Sequence, residues 1–423
     1  MASMRRRLTR SALERRTVMS RRRKQSRSSL VAGGVLTLLV GVPLVLAAVD
    51  APTGFDNLTN GFENQTNFDL DRAQFDTVEQ IADGLGPVYN AQACRECHQN
   101  PVSGSETQVN ELRAGQVDSA GNFTPHPGGT LINDRAIDAA IQEHIFDSDN
   151  VRTFRTSLNV LGDGFVEALP DSEFTRVQNA QPVGMKGTIV RVPVLEATPG
   201  TATLRIARFG WKNQHASLLS FSADAYLNEM GITNPLFPTE NTSNGNSVAA
   251  FDHVPDPEDA ATSAHPFGPD VEAFTRFLRS TKAPPRAPST SSDTGEVVFD
   301  NIGCVNCHTD SITTAPEGTS FNGGTFIVTA PLASKTIHPY GDFMLHDIKT
   351  GDGIPQAQAS GALIRTAPLW GLRTRTRLMH DGQSLTIQDA ILRHAGQAAP
   401  TVTAFKGLND TDRKALLDFL NSL

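Results

Sequence analysis

The sequence predicts a mainly α-helical protein of two domains with long ordered loops, set behind an N-terminal membrane or signal segment. Three observations predict it. A twenty-residue uncharged run follows a basic cluster, a Cys-x-x-Cys-His motif occurs twice, and apolar residues fall at helical spacing around the second motif and at the C-terminus. The 423 residues, 39% hydrophobic and 19% charged, suit a globular protein with room for a sizeable core. Only 6% are aromatic, against 34 Gly and 25 Pro, which points to ordered loops and leaves apolar bulk for a buried cofactor to supply.

Residues 1–29 hold eleven of the 37 Lys and Arg and a single acid, Glu14, so they read as a basic cytoplasmic region. The remainder carries 26 basic against 44 acidic residues, a balance of −18. That argues against nucleic acid as the partner of the folded body, since phosphate binding needs a basic surface. The run Leu30–Val49 carries no charge and is long enough to cross a bilayer. Positive charge on its N-terminal side predicts insertion with residues 1–29 inside and everything after it exported, to the periplasm of a bacterium. Small residues at Ala47-Ala48 suit signal cleavage, whereas the length of the run suits a retained anchor, and both readings stay open.

Residues 50–80, rich in Asn, Asp and Gly, read as an exposed lead-in. An N-terminal domain then spans 81–282, a Pro/Ser-rich linker 283–293, and a C-terminal domain 294–423. In the last of these, Val298 and Ile302 lie four apart just before the second motif. The chain ends in "NDTDRKALLDFLNSL", an Asp or Thr cap followed by Leu416, Leu417, Leu420 and Leu423 at helical spacing. These two helices are expected to pack on each other.

All four cysteines fall in the two motifs, "CRECH" (Cys94, Cys97, His98) and "CVNCH" (Cys304, Cys307, His308). A four-cysteine zinc site normally has its pairs separated by a short loop, but these lie 210 residues apart. A thioredoxin-like pair would have to occur twice with the same trailing His. Covalent haem explains the spacing. Two thiols three positions apart can add to the two vinyl groups of one porphyrin edge, and the next residue's imidazole reaches the iron. The expected cofactors are two haem c groups, attached outside the cytoplasm, with cytochrome c-like domains around them.

The ligand opposite each His separates an electron carrier from a catalyst. For the second haem the candidate is His394, since Thr386 and Asp389 mark a helix start and Ile387, Ile391 and His394 then share one face. Met344 and Met379 compete for that role, although either is more often plain packing.

The segments "HPYGDFMLHDIKTGDG", "RTAPLWGLRTRTRLMHDG" and "AILRHAGQA" resemble the bacterial di-haem oxidoreductase family, related to the di-haem cytochrome c peroxidases. The resemblance covers about residues 80–423. It implies a peroxidase-like oxidoreductase, with His394 standing where relatives carry a methionine ligand. It also implies Trp211 between the two haems, Glu229 as the distal acid of the first, and Asn159 as a ligand of a calcium ion. Without it, Trp211 reads as core and Glu229 as a solvated helix end. Two departures stand out. Leu219 replaces a pocket glutamine, and no His occupies the usual capping position near the first haem, which leaves His126 and His144 as candidates to cap that iron.

Three functions compete. One is reduction of peroxide at the first haem, with electrons taken from a small cytochrome or copper protein and relayed through the second. The others are electron transfer alone, and oxidation of a partner protein or thiol.

Overall fold

Two aromatic cores organise the chain. The computed structural model describes residues 48–197, 203–258, 261–287 and 290–423, which fall within one compact unit, Ala47–Leu423. Most of the predicted segment 30–49 lies outside the described residues. Its end, Val49, pairs in parallel with Lys335. No helix among the described residues is long and apolar enough to cross a membrane.

Helix α1 (Gln65–Asp76) starts at Asn64, whose side chain accepts from Asn67 N at 3.0 Å. Phe68 and Phe75, seven residues apart and so on one face, are buried. They meet Phe277 at ring distances of 5.4 and 4.8 Å. The segment 50–80, expected as an exposed lead-in, therefore carries a core helix. Its apolar positions are few, which hid them, and Phe75 lies 6.2 Å from the His98 ring.

Helix α2 (Cys94–Cys97) is the single turn of the first motif. Helices α3 (Leu218–Met230) and α4 (Pro269–Ser280) complete this side, with Tyr226 set edge-on to Phe274 at 5.1 Å. Proline at the first position of α4, with Asp270 and Glu272 in its first turn, suits a helix N-terminus. The same core takes in Ile312, Phe326, Phe343 and Trp370 from beyond the second motif.

The second core lies between α5 (Thr290–Asn301) and α7 (Asp410–Leu420), with α6 (Ile387–Arg393) beside it. The expected pairing of first and last helices is present, with Phe299 and Phe419 at 5.2 Å. A Cβ on Gly295 would lie 2.0 Å from the Ala415 carbonyl oxygen, so glycine sets how closely they approach. Asn409, not Asp or Thr, caps α7 by accepting from Asp412 N at 2.9 Å.

The mainly α expectation is corrected: the described residues are 31% helix and 16% strand. Strand β1 (Asn110–Val117) pairs antiparallel with β2 (Phe123–Pro125), β3 (Leu131–Ile132) and β4 (Val151–Thr156). Glu111 on β1 stands directly opposite Arg155 on β4, a cross-strand pair of opposite charge. Strands this short and polar carry little alternation, so they read as loop until their partners are in place. Short two-stranded pairs elsewhere, such as Arg191–Pro193 with Leu204–Ile206, order much of the remaining loop.

Candidate active site

Each Cys-x-x-Cys-His motif opens onto a separate cavity, so the four cysteines do not converge on one site. All four are free of disulfides. In α2 the i, i+3 spacing places Cys94 and Cys97 on one side of the turn. Burial pushes the Cys94 and Cys304 thiols up to about 12 and raises Cys97 as well. Thiolate redox chemistry needs the opposite shift.

The first cavity encloses about 610 Å³, counting its open mouth, between Cys94, Cys97, His98, Phe221, Tyr226 and Glu229. His98 Nδ1 donates to the Ser105 carbonyl at 3.1 Å. Burial lowers the imidazole's pKa to about 4, so it is neutral at pH 7. A neutral ring with Nδ1 held by a carbonyl presents Nε2 as a metal ligand. Among the described residues, His98 is the only histidine that lines this cavity.

Glu229 closes another side. It sits in the last turn of α3, where its backbone carbonyl accepts from Asn90 N at 2.7 Å and Ala91 N at 3.0 Å. Asn90 Nδ2 donates to its carboxylate at 2.9 Å. Burial, and then the neighbouring Glu111 carboxylate, hold the Glu229 carboxyl well above the usual carboxylate range. Glu111 is the reverse case. Burial opposes its charge, but Arg113 grips it at 2.7 and 2.9 Å, with Arg155 at 3.9 Å, and keeps it ionised. One carboxyl keeps its proton while its neighbour gives one up, an arrangement met in acid–base sites. Glu111, Arg113 and Asn90 were not expected. Only Glu229 could be aligned with relatives, whereas its partners arrive on β1 and before α2.

The second cavity is larger, about 1240 Å³ counting its mouth, and its lining is chiefly apolar, including Phe299, Leu372, Leu378 and Ile391. His308 Nδ1 donates to the Tyr340 carbonyl at 3.0 Å and His394 Nδ1 to the Ala390 carbonyl at 2.7 Å. The two rings face each other with centres 6.4 Å apart. A metal–imidazole bond is about 2.0–2.1 Å, so ring centres this far apart leave room for one ion between the two rings. Burial lowers His308 to about 4 and His394 below its usual value, which favours the neutral imidazole in both. Thr386 caps α6 as expected, accepting from Asp389 N at 3.0 Å.

Met379 also lines this cavity, whereas Met344 is buried in the first core. His346, which had no expected role, lies beside Cys307 with its Nε2 2.8 Å from Asp342. Burial opposes its charge, but the Asp342 carboxylate outweighs it and raises the ring to about 10.

Trp211 is buried at the second cavity. It lines the second cavity and packs in one small cluster with Leu158 and Ile364, and Leu158's backbone also acts on the His98 ring. Its Nε1 donates to the Thr156 carbonyl at 2.8 Å. Asn159, next to Leu158, is buried, and its Oδ1 accepts from Leu161 N at 2.9 Å. His126 and His144 do not reach the first cavity. His126 is held by Asp149 at 2.8 Å and Asn244 at 3.1 Å, and His144 is exposed. Leu219 is buried in the first core rather than facing the pocket.

The two cavities fit two haems: each offers two free thiols, a neutral imidazole of fixed orientation, and space within or above the range of about 300–1,000 Å³ usual for ligand pockets. Among solved structures the chain is similar to hydrazine synthase of Kuenenia stuttgartiensis, with a TM-score of 0.38 and 13% identity over 95% of this chain and 100% of that one. It is also similar to a MauG-like protein associated with microbial copper homeostasis, at 0.37 and 14% over 91% and 95%. A variant of the diheme peroxidase BthA from Burkholderia thailandensis gives 0.38 and 13% over 89% and 91%. At these scores none of the three bears on function. A search of curated proteins finds no match. Residues 132–423 match the family described as "Di-haem oxidoreductase, putative peroxidase", a span that holds the second motif, His394, Glu229 and Trp211 and begins after the first motif. With more than two thirds of its length matched, the chain belongs to the di-haem oxidoreductase family, and it is an oxidoreductase whose cofactors are haems.

Proposed function

We propose that the protein reduces peroxide at the first cavity with electrons that enter through the second. Cys94 and Cys97 would hold one haem by thioether bonds and Cys304 and Cys307 the other, with His98 and His308 as proximal ligands. The observation that carries the reading is the difference between the cavities. His308 has a second imidazole, His394, with its ring centre at 6.4 Å, whereas among the described residues His98 shares its cavity with a carboxyl and no further histidine. A metal ligated from both sides carries electrons, and one ligated from a single side can bind a substrate.

When bound in the first cavity, a haem would supply the electrons that reductive cleavage of a peroxide O–O bond needs. The protein's own part is proton transfer and exclusion of water. Glu229, protonated at neutral pH, gives its proton to the outer oxygen as that bond breaks and recovers one from the inner oxygen. Asn90 fixes the carboxyl's orientation, and the Arg113-bound Glu111 carboxylate keeps the proton on Glu229 between turnovers. Trp211, packed between Leu158 and the second cavity, is the short path for electrons.

The electron donor in this reading is a small cytochrome or copper protein with a basic docking patch, suited to the acidic balance of the chain after residue 29. The reaction takes place on the periplasmic side, where the run 30–49 would deliver the protein, cleaved or anchored. A calcium ion held in part by the second lone pair of Asn159 Oδ1 would stiffen the backbone between the sites. Removal with a chelator should lower activity and be reversed by calcium.

The test is spectroscopic. The denatured chain should show a mass gain of two haems, and electron paramagnetic resonance should show one low-spin centre and one centre that responds to peroxide. Two low-spin centres inert to peroxide and cyanide would instead make the protein an electron carrier.

A further inference from the structure

The second cavity contains two arginines whose hydrogen-bonding capacity is largely unused among the described residues. Arg375 lines the cavity with a side chain only 9% exposed. Its Nε lies 2.8 Å from Glu106 Oε2, but the alignment is not that of a hydrogen bond. Nε and Nη2 are fully buried without an acceptor, and no side-chain N–H of Arg375 reaches one among the described residues. Guanidinium groups elsewhere in the interior behave differently. Arg208 donates to the carbonyls of Ile206 and Leu169 and to Asp171, and Arg279 holds Glu167 at 2.7 and 3.1 Å. A buried donor left unanswered costs stability, more so when charged. Such a group in a native structure points to a missing partner.

Arg365 lines the same cavity and is 6% exposed. It donates from Nε to the Gly210 carbonyl at 2.9 Å, which leaves the fork of its guanidinium free of hydrogen bonds among the described residues. Burial lowers its pKa to about 10, and Arg375 adds repulsion. The carboxyls nearest the two arginines compensate little. Burial raises both Glu106, beside Arg375, and Asp163, beside Arg365, to about 7. Two cations on an apolar wall call for an anion, and a planar guanidinium matches a carboxylate in two-pronged fashion.

On the reading of this cavity as a haem site, we infer that Arg375 and Arg365 form its carboxylate-binding site and take the propionate side chains of the porphyrin. An amphipathic plane with an acidic edge fits a chiefly apolar cavity with two cations on its lining. Glu106, beside Arg375, directly follows Ser105, whose carbonyl holds His98 Nδ1.

The test uses the haem-loaded chain with Arg375→Gln, Arg365→Gln and Arg375→Lys, and Arg191→Gln on the exposed surface as control. Resonance Raman spectra should show the propionate-bending bands of the second haem shifted in both interior Gln variants and unchanged in the control. The second haem's reduction midpoint should move to lower potential and become more dependent on pH near neutrality, with partial recovery in Arg375→Lys. Unshifted bands together with an unchanged midpoint, at two haems per chain, would overturn the assignment. If the Gln variants fail to fold, Glu106→Gln decides. Release of Arg375 from its competing carboxylate should raise the second midpoint, and no change would count against the site. A wild-type chain without a second haem would sink the haem reading itself, an outcome that the mass gain distinguishes.

Discussion

His308 and His394 face each other across the second cavity with ring centres 6.4 Å apart, each turned by a backbone carbonyl on its Nδ1. Replacing His394 with Met should keep the second centre low-spin and raise its potential, as a Met/His pair does relative to two histidines. His394→Ala should open that face to added ligands. Paramagnetic resonance with a redox titration checks both, and an unaltered spectrum in either variant would remove His394 from the iron.

Glu229 is expected to matter through its proton. Glu229→Gln should lower kcat for peroxide by about 10²–10⁴-fold with haem content unchanged. Glu111→Gln removes the like charge that helps hold the Glu229 proton, so the Glu229 pKa should fall and the limb of the pH–rate profile that it governs should move to lower pH. The same change strips Arg113 and Arg155 of a carboxylate, a loss of about 3–5 kcal/mol for a broken buried pair, which denaturant unfolding would register.

At Gly295 the backbone of α7 leaves no space for a methyl group, since a Cβ would stand 2.0 Å from Ala415 O. Gly295→Ala must push α5 and α7 apart, at a cost of about 1–3 kcal/mol. Thermal melting should begin at lower temperature, and a variant as stable as the parent would mean that the helices cross less tightly.

Stability should also fall as pH rises through neutrality. Burial, followed by repulsion from Asp270 and other nearby carboxylates, raises Glu79 and Glu258 to about 7, and burial raises Asp270 too. Carboxyls with folded pKa values above their unfolded values bind more protons in the folded state. Their contribution is therefore present below about pH 4.5 and lost progressively up to about pH 7. Glu258→Gln should flatten the dependence of melting temperature on pH between 5 and 8. A slope as steep as the parent's would place its origin elsewhere.

The sequence by itself determined the two Cys-x-x-Cys-His turns that open onto the cavities, because two thiols and an imidazole fall there within five consecutive residues. It also determined the helix start at Thr386 and the α5–α7 pairing, since caps and 3.6-residue spacing are local. The tertiary structure decided the balance of helix and strand, for strands such as Asn110–Val117 acquire their character from a partner some forty residues away. It likewise decided which groups surround each cavity. Glu111 is an unremarkable surface-type residue in the sequence and becomes the neighbour that sets the Glu229 proton only once β1 is laid against β4. Arg375 gains its meaning only where burial removes the water that would otherwise satisfy it. Chemistry carried by adjacent residues is legible in one dimension, whereas desolvation and charge pairing depend on what the fold brings near.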